Sequence, residues 1–279
     1  MVGDTGGENL RGLDAKDHVR HLKQDGWSVV EDVIPEAEVE AVKQEVQRAT
    51  QVHQNPGIAR ESGVGHVGGF INVNQAIAPY LAQRRVLAPI EALLGPSVKI
   101  SFTTATINLP KNPRTGWHAD WPFNQNNAGH IAAPYADVPM HITTLWMLSP
   151  FSAANGGTLV VPGSHRSPNN PTGDNGVDPL APYPTEMNVS GTTGSVLIMD
   201  SRTWHAAASN QTEEPRVSVV VRYAPWWLDT RVLCPGSRDR QILEAKTGLS
   251  DPHQPTLPSE VFAGLPEDVK PLFSHWVSD

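Results

Sequence analysis

Between residues 98 and 223 the chain is a succession of short β-branched runs, cut apart by proline, glycine and asparagine. Nothing else in the sequence constrains the fold as strongly. The run 98–107 is rich in Val, Ile, Thr and Phe, and others follow at 141–148, 158–161, 195–199 and 216–223. Short runs of this composition, bounded by turn formers, read as strands. Many short strands in series bury their apolar faces by packing sheet on sheet. The expectation is therefore a mainly β, cupin-like jelly-roll barrel or sandwich.

The N-terminal third has a different texture. From Leu13 the pattern is helical, with Asp14 placed to cap and Val19, Leu22 and the stem of Lys23 at three-to-four spacing before Asp25-Gly26. A short strand follows at residues 27–30. Pro35 then opens a second helix with a stripe of Val39, Val42, Val46 and Ala49, and Glu36, Glu38 and Glu40 suit its positive end. Residues 53–70, with five glycines, read as a loop, 70–73 as a β-like stretch, and 80–94 as a third helix stopped by Gly95-Pro96. These helices are expected to pack outside the strands. Residues 1–12 read as a loose tail and 13–279 as one domain, since no repeat or linker divides the chain.

The chemistry is concentrated in Gly116-Trp117-His118-Ala119-Asp120. In an extended strand residues two apart face the same way, so an imidazole and a carboxylate stand side by side as two legs of a metal site. Trp204-His205 offers a third leg, delivered by the apolar run 195–200. Two histidines and one carboxylate with the remaining positions open is the arrangement that non-haem Fe(II) oxygenases use. Eleven residues after His205, Arg216 opens Arg216-Val217-Ser218-Val219-Val220-Val221. Alternation puts Arg216 and Ser218 on one face and Val217, Val219 and Val221 on the other. A guanidinium pointing into a small barrel must find an anion, and its planar fork suits a carboxylate. The segment Asn155-Gly156-Gly157-Thr158 forms a tight turn that places Thr158 at a strand start.

In order and spacing, Trp117-His118-Ala119-Asp120, residues 155–165, and Trp204-His205 with Arg216 resemble the phytanoyl-CoA dioxygenase family of Fe(II)/2-oxoglutarate oxygenases. Leu22-Lys23-Gln24-Asp25-Gly26-Trp27 and the helix from Pro35 are similar to that family's N-terminus, so the likeness runs from about residue 13 to 227. It implies a double-stranded β-helix with Fe(II) on His118, Asp120 and His205. It also implies that Arg216 holds the distal carboxylate of 2-oxoglutarate, helped by Thr158 and Ser218. Three protein ligands leave two positions for the 2-oxo acid and one for O2. The reaction implied is oxidation of a small molecule, with release of succinate and CO2.

Rival readings leave marks that can be looked for. A ligand-binding jelly roll without turnover would lack a metal leg or the anchoring arginine, and all are present here. A zinc hydrolase could use the same His/Asp/His set, but there is no His-Glu-x-x-His helix, and Arg216 would have no role. Halogenases of the iron type replace the carboxylate with a small residue, whereas Asp120 is retained. The net charge of −8, with no cationic block larger than Arg84-Arg85, argues against nucleic acid and gives no support for a coenzyme A thioester. No apolar stretch is long enough for a membrane span. A single cysteine, Cys234, excludes an intramolecular disulfide, and with no signal peptide evident the cytoplasm is the expected compartment.

Asn72, Trp121 and Phe123 are expected to form the substrate wall, with Pro122 re-aiming the two rings and the proline-rich loop 167–184 as a lid. Trp146 either packs the core or borders the co-substrate, and Trp226-Trp227 close the core or wall the pocket. His18, His21 and His53 read as solvated, His165 as bracing its turn, and His130 and His141 as structural.

Overall fold

A computed structural model describes residues 12–54, 63–171, 176–249 and 254–278. The expected tail, residues 1–12, lies almost entirely outside the described residues. Helix α1 (Ala15–Gln24) is capped by Asp14, which accepts from the backbone N–H groups of Lys16 and Asp17 in a capping box. Strand β1 (Trp27–Val30) follows, then α2 (Glu36–His53), where Pro35 is the N-cap and Val39, Val42 and Val46 are buried. His18 is buried rather than solvated: its Nδ1 lies 2.8 Å from the Ser28 hydroxyl, so α1 uses a polar contact to dock on β1.

The stretch expected to be loop is in part a strand. β2 (Val64–Gly68) pairs along β3 (Lys99–Asn108) from Val64↔Asn108 to Gly68↔Thr104. Glycine content masked it, since Gly65 and Gly68 interrupt the β-branched pattern. Residues Phe70–Asn72, expected to be extended, form a 3-10 turn. Helix α3 (Arg84–Leu94) is shorter than expected because Ala78–Tyr80 is a separate 3-10 turn.

The remaining strands are β4 (Ile142–Met147), β5 (Thr158–Val160), β6 (Met187–Asn188), β7 (Val196–Asp200), β8 (His205–Ala207) and β9 (Arg216–Ala224). The short β6 and β8 carry too few residues for a pattern to show. A six-stranded sheet runs β1-β7-β4-β9-β3-β2 and a three-stranded sheet runs β6-β5-β8, with every pairing between these strands antiparallel. Together they make a double-stranded β-helix of jelly-roll type. The two sheets form a sandwich and do not close into a hydrogen-bonded barrel: β1 and β2 are the edges of the larger one.

Both faces of the large sheet are covered, which is why β4 is buried throughout. Leu145, Met147, Leu197 and Met199 point between the sheets. Ile142, Trp146, Val196, Ile198 and the Val217, Val219, Val221 series point to the other face, against α1, α2 and α3. Trp146 therefore packs the core, with its Nε1 donating to the Thr144 hydroxyl at 3.0 Å. It does not border the cavity. Beyond β9 come α4 (Arg238–Thr247), which no apolar stripe in the sequence signals, and a helical C-terminal segment over Lys270–Phe273 and Ser274–Trp276. Trp226 and Trp227 are 68% and 50% exposed and close nothing. Among the described residues no helix is long and apolar enough to cross a membrane.

Candidate active site

A cavity of about 760 Å3 opens between the sheets, floored by β9, β3 and β4 of the larger one. Its polar lining brings His118, Asp120, His205, Thr158, Arg216 and Arg222 to one place. The backbone fixes the first three. His118 and His205 exchange both backbone hydrogen bonds at 3.0 Å, an antiparallel bridge that adds residue 118 to the edge of β8. The N–H of Asp120 donates to the Ser201 carbonyl at 2.9 Å. The two imidazole rings lie 4.2 Å apart, and the candidate ligand atoms of His118, Asp120 and His205 all fall within 4.8 Å of one another.

Each histidine is oriented by its own neighbour. His205 Nδ1 sits 2.9 Å from the Thr203 carbonyl and His118 Nδ1 3.1 Å from that of Gly116. With Nδ1 donating, the Nε2 lone pairs are left for a metal. Burial, then the His118 ring, push His205 down to about 4, so it is neutral at physiological pH as a ligand must be. Burial alone would push Asp120 up. Arg222, both histidines and the Thr143 hydroxyl outweigh it and hold the carboxyl well below the usual range.

The surroundings of Asp120 were not legible in the sequence. Its Oδ1 accepts from Arg222 Nη2 at 2.6 Å and its Oδ2 from Thr143 at 2.6 Å. From Thr143 a buried chain runs through Ser201 (2.9 Å), His141 (2.7 Å) and Ser101 (2.7 Å) to the Arg222 carbonyl (3.2 Å). The chain thus returns to the residue whose side chain grips Asp120. His141 is structural, as expected, and burial pushes its ring down to about 3. The unfolded ring protonates near 6.5, so its contribution to stability is complete above that pH and is lost as pH falls toward 3. Melting temperatures of the wild type between pH 7.5 and 4.5 should fall more steeply than those of His141→Gln. Parallel curves would remove the ring from this account.

Arg216 is 3% exposed, with its guanidinium 4.4 Å over the Phe151 ring. Its Nη1 donates to the Ser218 hydroxyl at 3.1 Å, while its Nε is buried with no partner among the described residues. Burial pushes its pKa down to about 10, which leaves it charged. A buried guanidinium facing a cavity without a carboxylate of its own fits an incoming dianion. Thr158 lines the same cavity at the start of β5. The turn before it needs glycine: Gly156 has φ +77°, and a Cβ there would meet Asn108 Nδ2 at 2.1 Å. Ser218 touches Arg216 without lining the cavity.

The expected substrate wall is placed only in part. Trp121 lines the cavity, with its Nε1 tied to the Gly129 carbonyl at 2.7 Å. Phe123 is buried edge-on against Tyr135, away from it. Asn72 lies outside the wall as well: its amide donates to the Thr256 carbonyl at 2.9 Å, because the 3-10 turn swings it off the sheet. The described residues of 167–184 do not line the cavity either. They pack behind the His118, Asp120 and His205 cluster, where the Pro179 and Ala181 carbonyls accept from Trp117 and Tyr183 meets Trp204 edge-on. The lid expectation is not supported by these positions. His165 braces its turn, 3.2 Å from the Lys23 carbonyl.

Residues 22–218 match the family described as phytanoyl-CoA dioxygenase (PhyH). The chain is 25% identical over 219 residues to Dioxygenase af480 of Aspergillus fumigatus, covering 76% of this chain and 67% of that one. It is 25% identical over 224 residues to an ectoine dioxygenase of Nocardia farcinica, covering 70% and 73%. Among solved structures it is similar to the epimerase SnoN in complex with Fe3+, alpha ketoglutarate and nogalamycin RO. That match has a TM-score of 0.60 and 22% identity, over 76% of this chain and 83% of that one. HygX from Streptomyces hygroscopicus, with nickel, 2-oxoglutarate and hygromycin B bound, gives a TM-score of 0.60 at 18% identity, over 77% and 89%. The structural matches concern the fold.

Proposed function

Because the chain belongs to the phytanoyl-CoA dioxygenase family of Fe(II)/2-oxoglutarate-dependent dioxygenases, we propose that it hydroxylates, or otherwise oxidises, a small metabolite or natural-product intermediate. Succinate and CO2 are the co-products. His118, Asp120 and His205 hold the iron in this reading, and Arg216 holds 2-oxoglutarate. The observation that carries it is the buried Arg216 guanidinium, with an unpartnered Nε, in the same cavity as the His/Asp/His cluster.

Iron with 2-oxoglutarate supplies, when bound, the activation of O2 and the oxidising power. The chain's own residues position and shield. Thr203 and Gly116 fix the ring orientations of the two histidines, and Arg222 and Thr143 hold the two oxygens of Asp120. Ser218 steadies the Arg216 fork. Leu145, Val220 and Trp121 keep the walls between these polar groups apolar.

The protein given Fe(II), ascorbate and 2-oxoglutarate in air should form succinate slowly even without its own substrate. Replacing Fe(II) by Zn(II) should stop it. Absence of Fe(II)-dependent succinate would contradict the proposal.

A further inference from the structure

His66 sits on the edge strand β2, opposite Thr106 of β3, which in turn stands opposite Ser218 of β9. Val64, His66 and Gly68 share the face that lines the cavity, so the imidazole stands on the wall beyond the arginines. The residue is solvent-exposed, and its ring has no hydrogen-bond partner among the described residues. The neighbouring Thr106 hydroxyl, by contrast, is buried and unpartnered. Polar atoms on a cavity wall without partners point to a ligand group that completes them.

The rest of that wall sets what the ligand can be. Val64, Phe102, Trp121, Val220 and Leu233 are apolar, and the Trp121 Nε1 is already engaged. Asp120 is the one carboxylate among the described lining residues, and Arg222 occupies it. The lining offers no free carboxylate for a cationic guest, and with Arg222 on Asp120 and Arg216 given to 2-oxoglutarate it offers no free guanidinium for an anionic one. Desolvation, with the Arg222 guanidinium, the His118 ring and the Arg216 guanidinium adding to it, lowers the His66 pKa, and an imidazole is mostly neutral above pH 7 even without that shift. The ring therefore has one nitrogen to donate and one to accept.

We propose that His66 orients the substrate, and that the substrate is a neutral, largely apolar molecule presenting a hydroxyl or carbonyl group to this imidazole. This rests on the oxygenase reading for where the reacting carbon lies. His66 is thus a positioning residue for the bond to be oxidised.

The test uses the Fe(II)·2-oxoglutarate protein without oxygen, with three probes of one shape in equilibrium dialysis: 2-naphthol, naphthalene and 2-naphthylmethylammonium. The wild type should bind 2-naphthol most tightly and the ammonium least. His66→Ala should weaken 2-naphthol about three- to tenfold, as loss of one neutral hydrogen bond does. It should leave naphthalene and 2-oxoglutarate affinity unchanged, and His66→Gln should recover part of the loss. Equal weakening of naphthol and naphthalene, no weakening, tightest binding of the ammonium, or no binding of any probe would each overturn the inference. The absorbance of the bound 2-oxo acid is recorded on the same samples. If that signal is missing while the naphthol–naphthalene difference still depends on His66, the oxygenase reading fails, and with it the positioning of a bond to be oxidised, while the His66 contact to a neutral hydroxyl ligand stands. With the signal present and the difference absent, this one alone fails.

Discussion

His118→Ala, Asp120→Ala and His205→Ala are each expected to abolish iron-dependent succinate formation, because a three-residue site that loses a leg releases the metal or misplaces its open positions. The three variants should differ in stability. Asp120 is 4% exposed and is the partner of Arg222, whose side chain is 19% exposed. Removing the carboxylate strands a largely buried guanidinium and should cost about 3 kcal/mol. Asp120→Asn keeps one oxygen to accept from Arg222, while its Nδ2 can donate to the Thr143 hydroxyl in place of accepting from it, and it should recover part of that while remaining inactive. His118→Ala loses one hydrogen bond, at 3.1 Å to a carbonyl two residues away, and a ring contact with His205, and should melt close to the wild type. Metal content, turnover and melting temperature are read together. A variant with full iron and full turnover would remove that residue from the site.

Arg216→Ala is expected to raise the 2-oxoglutarate requirement steeply. Truncating one partner of a buried charged pair costs about 2–5 kcal/mol, a factor of about 30 or more in affinity. Arg216→Lys should restore only part of it, because an ammonium cannot present a planar fork to a carboxylate. Ligand linkage gives an independent readout: 2-oxoglutarate should raise the melting temperature of the wild type and not that of Arg216→Ala. An unchanged KM for 2-oxoglutarate in Arg216→Ala would transfer the role to Arg222, which lines the same cavity.

The parts of this site that were legible in the sequence are those set by local periodicity. Residues two apart on a strand share a face, so His118 with Asp120 and Arg216 with Ser218 could be read directly, and the structure brings all but Ser218 to the cavity. The same alternation decides Trp146, but only once the sheet's two faces are known: both are covered, and the sequence does not say which one the cavity occupies. The strand carrying His66 was hidden by its glycines, Gly65 and Gly68. Asn72 was misplaced for the converse reason, a β-like stretch that coils into a 3-10 turn. The grip of Arg222 and Thr143 on Asp120 spans 102 and 23 residues, and no local pattern encodes such contacts.

The most direct test of the central claim, that the His118, Asp120 and His205 cluster holds iron beside an Arg216-anchored 2-oxo acid, is an anaerobic titration of the protein with Fe(II) and then 2-oxoglutarate, followed by visible absorbance. The account predicts a charge-transfer band that saturates with 2-oxoglutarate in the wild type, needs far more of it in Arg216→Ala, and is lost in His205→Ala. No band in the wild type, or a full band in His205→Ala, would contradict it.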